Sequence, residues 1–167
     1  PGSVPAVRGC VEHPDLRVRL EAIRNLFAFD QDLPRDLLRR ALTHPDPRLA
    51  EAAIELAGER GILEAAEPLT DLVAPWDPFG SRRALRLKAI RALGALGDPR
   101  TLERLRRFSS RFALPPAARE ERVAIYRTLS GYPEAARRLW IERGLRSNVA
   151  EIRRLAAALA PAPEEPA

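Results

Sequence analysis

An internal repeat constrains this chain more than any other feature of its sequence. The segments at 21–26 (EAIRNL), 52–57 (AAIELA), 88–93 (KAIRAL), 123–128 (VAIYRT) and 154–159 (RLAAAL) align on Ile23, Ile54, Ile90, Ile125 and Ala156. The successive offsets are 31, 36, 35 and 31 residues, the length of one helical hairpin. Such a unit cannot bury its apolar face alone. Repetition at this period therefore builds a stacked array in which each hairpin covers its neighbour.

Punctuation within each unit separates two helices. His13-Pro14-Asp15, His44-Pro45-Asp46-Pro47, Ser81, Pro115-Pro116 and the box-like Asn148-Val149-Ala150-Glu151 open the first helices. Pro34, Leu63 after the Gly58/Gly61 pair, Asp98-Pro99, and Pro133 after Gly131 open the second ones. Proline suits a first helical turn, Asp, Ser or Asn accepts the free amides there, and glycine ends the preceding helix. Helices are predicted at 15–29, 34–43, 47–59, 63–73, 81–96, 99–111, 117–130, 133–145 and 148–160. Apolar residues three and four apart, such as Leu20, Ile23 and Leu26 or Leu85, Ile90 and Leu93, mark the faces to be buried. β-branched residues never alternate with polar ones, so strands are not expected. The expected fold is all-α: a right-handed α-α superhelix of about four helix hairpins plus a terminal helix.

The run Leu87–Arg100 (LKAIRALGALGDPR), within 82–108, and the run His44–Ile54 (HPDPRLAEAAI), within 44–73, resemble HEAT-like repeats, including their bacterial PBS-lyase-type variants. The resemblance covers roughly 12–160. The fourth and fifth units depart from it, lacking the Gly-Asp-Pro junction. It implies an interaction surface and a non-catalytic role, with the second helices lining the concave face. Residues 1–11 are expected to be a leading segment that begins with cloning residues, 12–160 the repeat domain, and 161–167 (PAPEEPA) a disordered tail or linker. A domain of a larger bacterial protein is the expectation.

Charge sharpens the partner. Basic residues outnumber acidic ones 28 to 23, and all but Lys88 are arginine, a bias expected of a GC-rich genome. The second helices carry Arg35, Arg39 and Arg40, then Arg100, Arg104, Arg107 and Arg111, then Arg137 and Arg138. Of these, Arg39, Arg100, Arg104, Arg107, Arg111 and Arg138 form the candidate strip for an acidic protein segment, with Trp76 and Phe79 of the loop at 74–80 as aromatic anchors. Nucleic acid, as in HEAT-like DNA glycosylases, is the alternative partner. The net charge of +5 is mild for that role, and Glu64, Glu67 and Asp71 interrupt the strip. A bilin lyase or chaperone-like role rests on the repeat style alone.

No catalytic, metal or cofactor constellation stands out. His13 and His44 occupy the same turn in successive repeats and read as cap material. Glu51/Glu55, Glu64/Glu67 and Glu120/Glu121 read as solvated helix surface, and Trp140 as core. One cysteine, Cys10, forms no internal disulfide, which fits the cytoplasm. No apolar run is long enough to span a membrane.

Overall fold

A computed structural model describes residues 9–29, 35–74, 80–109 and 118–161. Among these residues there are nine α-helices and no strand. They are α1 (Leu16–Phe29), α2 (Arg35–Leu42), α3 (Pro47–Glu59), α4 (Ala66–Val73), α5 (Arg83–Leu96), α6 (Pro99–Phe108), α7 (Arg119–Thr128), α8 (Glu134–Leu145) and α9 (Ala150–Leu159). Single 3-10 turns at Cys10–Glu12, Leu63–Ala65 and Leu129–Gly131 lead into α1, α4 and α8.

The helices form two layers. In the first, α1, α3, α5, α7 and α9 stack in order; in the second, α2, α4, α6 and α8 do the same. Across the layers α2 packs on α3, α4 on α5 and α8 on α9. Those closest pairings join a second helix to the first helix of the following repeat, so the first, second and fourth repeats are each locked in this way by their successors. The aligned positions sit at the centre of this arrangement. Ile54, Ile90, Ile125 and Ala156 are fully buried, and Ile23 nearly so. Leu38, Leu42, Leu49, Leu69, Leu93 and Leu105 complete a continuous core. Each such side chain contributes about 1.5–3 kcal/mol of burial, available only because the neighbouring repeat is present.

The turns follow from their residues. Asp46 and Asp98 accept amide hydrogens from Arg48 and Arg100, both at 3.0 Å, with Pro47 and Pro99 in the first turn. His13 Nδ1 and His44 Nδ1 each accept the backbone N–H of the Asp two residues on, at 3.0 Å. Both imidazoles thus serve the turn, as the repeated His-Pro-Asp implied.

Three expectations need correction. The box at Asn148–Glu151 does not form: Ser147 Oγ accepts from Val149 N–H, and Glu151 binds Arg127 instead. A glutamate closes back on a helix start elsewhere, where Glu121 Oε2 accepts the Ala118 N–H at 2.8 Å. Glu121 is accordingly fully buried, not solvated. The glycines are also not all terminators. Gly97 ends α5 at φ 64°, but Gly94 and Gly131 serve a close approach. A Cβ on Gly131 would collide with the Gly94 carbonyl, and one on Gly94 with Thr128.

Candidate interaction surface

Helices α2, α4 and α6 present a ladder of charge on the second layer. Asp71 on α4 binds Arg39 of α2 at 3.1 Å through one oxygen and Arg104 of α6 at 2.5 Å through the other. The partners lie 32 and 33 residues apart in sequence, one repeat in each direction. The acidic second unit therefore does more than interrupt the basic strip: it neutralises the arginines on both sides. All three side chains remain well exposed, at 63, 39 and 45 %.

The other candidate arginines are paired too. Arg100 grips Asp98 at 2.7 Å, Arg107 reaches Glu103 at 3.4 Å and Arg138 reaches Glu142 at 3.4 Å. The Arg100 guanidinium holds the Asp98 carboxyl below the ordinary carboxylate range. Arg111, Trp76 and Phe79 lie outside the described residues, as does the side chain of Arg35. A bare basic strip is thus not what the second layer offers. Every described candidate arginine already has a carboxylate of this chain beside it.

What the layer does offer is a groove of about 700 Å³ running across α2, α4 and α6. Leu63, Ala66 and Pro68 supply its apolar part, and Arg39, Arg100, Arg104, Glu64 and Glu67 its rim. Leu63 is 54 % exposed; of the three exposed large aliphatic side chains among the described residues, with Leu139 and Leu145, it is the one that lines this groove. Leu63 and the bridging role of Asp71 escaped the sequence reading. The offsets of Asp71 from Arg39 and Arg104, 32 and 33 residues, lie close to the repeat spacing and were the available signal.

The interior holds a second electrostatic element. Arg86 of α5 and Glu121 of α7 form an ion pair at 2.6 Å, with side-chain exposures of 8 and 0 %. The Arg86 guanidinium also sits 5.8 Å from the centroid of the Phe108 ring. Nearby, Tyr126 and Trp140 meet edge to face at 5.6 Å, and the Tyr126 hydroxyl donates to the Trp140 carbonyl. Trp140 is core, as its spacing implied. Tyr132 meets the Thr101 hydroxyl at 3.3 Å, and burial pushes its phenol up to about 12. These groups join helices, so they read as structure. Among the described residues no helix is long and apolar enough to cross a membrane, and no cluster of three or more metal-ligating side chains occurs.

Compared with known proteins, residues 4–84 match the HEAT repeats family. No curated protein matches the chain. Beyond residue 84 the same two layers continue without a break through α9.

Proposed function

The chain is a HEAT-like repeat solenoid, and on that premise we propose that it is a non-catalytic scaffold that docks a segment of a partner protein in the second-layer groove. HEAT repeats generally mediate protein–protein interaction. The observation that carries the reading is the exposed Leu63, set beside Pro68 within a rim of both charge signs. An apolar anchor from the partner covers Leu63, and its polar flanks exchange with the Arg39–Asp71–Arg104 ladder. Mixed charge favours a protein segment over a phosphate backbone, because nucleic acid gains its affinity from uncompensated cations that release counterions.

The test uses Leu63→Glu and the double variant Arg39→Glu/Arg104→Glu, with helicity checked by circular dichroism. Loss of capture of a native partner by both variants supports the groove, and unchanged capture rejects it. Random duplex DNA is titrated in parallel. Tight binding at about 50 mM salt that collapses steeply as salt rises would move the reading to nucleic acid.

A further inference from the structure

The first layer contains a second groove, and its charges are balanced differently. At three of its four steps an exposed or half-exposed ion pair links successive helices or their caps. Arg19 reaches Asp46 between α1 and the start of α3, Lys88 of α5 reaches Glu51 and Glu55 of α3, and Arg127 of α7 reaches Glu151 of α9. The step from α5 to α7 has its ion pair inside, between Arg86 and Glu121. Between the same two helices lies a surface groove of about 430 Å³, lined by Leu87 and Arg91 of α5 and by Arg119, Glu120, Val123 and Arg127 of α7.

Arg91 and Arg119 are both exposed there. Neither has an ion-pair partner among the described residues, in contrast to Arg39, Arg100, Arg104, Arg107 and Arg138. These two cations thus lie on the opposite layer from the arginine strip. Arg127 is occupied by Glu151. Between Arg91 and Arg119, Leu87, Val123 and the half-buried Ala124 give the groove an apolar floor. Its dimensions fall within the roughly 300–1,000 Å³ of ligand-binding clefts.

We infer that this first-layer groove binds an acidic peptide segment whose carboxylates pair with Arg91 and Arg119 around an apolar side chain seated on Leu87 and Val123. A guanidinium without an internal partner gives up no existing ion pair when it takes a carboxylate, whereas Arg39 and Arg104 must first release Asp71. With Glu120 and Glu151 also at the rim, the groove's charge matches a pair of spaced carboxylates and not an unbroken line of phosphates, so the occupant is a peptide and not a nucleic acid. The inference does not depend on the second-layer groove. Together the two grooves would let one chain hold two segments on opposite faces.

The probe is a fluorescein-labelled, end-blocked pentapeptide, Glu-Asp-Leu-Glu-Asp, followed by anisotropy with the full chain at about 50 mM salt. Binding is expected for this peptide and not for its Lys-Arg-Leu-Lys-Arg counterpart. Arg91→Gln/Arg119→Gln should weaken binding about 10-fold, and the double Glu variant should abolish it. Arg39→Glu/Arg104→Glu should leave it within about 2-fold, since those residues lie on the other layer. Both arginines are exposed, so the Gln variants are expected to keep native helicity, and circular dichroism checks this. No binding by the wild-type chain, or a loss confined to the Arg39/Arg104 variant, overturns the proposal. So does a thymidine oligonucleotide that binds more tightly than the peptide and loses affinity with the same two arginines.

Discussion

Replacing Glu121 by Gln probes the pair that ties α5 to α7. The substitution keeps the side-chain length and the oxygen that accepts the Ala118 N–H, but it removes the charge facing Arg86 at 2.6 Å. The guanidinium then stays in a site almost closed to water, without that anion. The Phe108 ring, 5.8 Å away, offsets about 1 kcal/mol of this. Removing one partner of a buried ion pair costs about 3–5 kcal/mol. Retention of the capping bond puts Glu121→Gln near the lower end, at about 3 kcal/mol. Glu121→Ala also loses the cap and opens a void, for about 5 kcal/mol. For a chain of this size each kcal/mol lowers Tm by roughly 2–4 °C, so the Gln variant should melt about 6–12 °C lower. Urea titration followed by far-UV circular dichroism measures the loss directly. Because repeats interact only with their neighbours, the weakened step should also broaden the transition or divide it in two. The companion variant Arg86→Met/Glu121→Leu removes both charges and should recover to within about 2 kcal/mol of wild type. A Glu121→Gln loss below about 1 kcal/mol, or a double variant no more stable than the single one, would show that the pair does not hold the step together.

Further outcomes follow from the packing and the titrating groups. Gly131→Ala forces a Cβ against the Gly94 carbonyl, and separating α5 from the α7–α8 turn should cost about 2–3 kcal/mol in the same urea assay; Gly61→Ala, with open space at its Cβ, should cost only the smaller strain of its positive φ. Asp98→Ala should cost about 1 kcal/mol or more through loss of the α6 cap. Asp98 titrates below the ordinary carboxylate range in the fold, so its contribution is present at neutral pH and disappears as pH falls through that lowered value. Tyr132 behaves in the opposite sense. Its phenol moves from an ordinary value near 10 to about 12 in the fold, so stability is intact below pH 10 and declines as pH rises toward 12. Burial raises the Tyr126 phenol as well, so ultraviolet titration should find both tyrosines ionising late, and Tyr132→Phe should remove the later of the two steps. Persistence of that later step in Tyr132→Phe would assign it to Tyr126.

Much of the fold was legible because the same punctuation recurs. Pro47 and Pro99 stand at helix starts with Asp46 and Asp98 before them, and the described helix limits fall within two residues of the readings at 47–59 and 148–160. Local rules suffice there, since a cap is decided by three or four adjacent residues. Glu121 shows where local rules end. Its neighbour Glu120 is exposed and the pair looks like any solvated helix start, yet Arg86, a whole repeat away, draws Glu121 inside. The arginine strip misled for the same reason. Arg39 and Arg104 read as free charge until Asp71 is placed between them, and that placement depends on how successive repeats register. Leu63 was invisible in a different way, because a leucine in a helix-opening turn reads as core.

Lys88 has an experimental consequence of its own. It is the sole lysine in the chain, and its ammonium is held at 2.9 Å from Glu51 and 2.6 Å from Glu55. Those carboxylates keep it protonated above its ordinary range, and only the free base attacks an acylating reagent. Its labelling rate therefore follows the fraction of time that the amine stands free of Glu51 and Glu55. A single side-chain amine thus reports on the ion pairs that bridge one step of the array, readable by mass spectrometry.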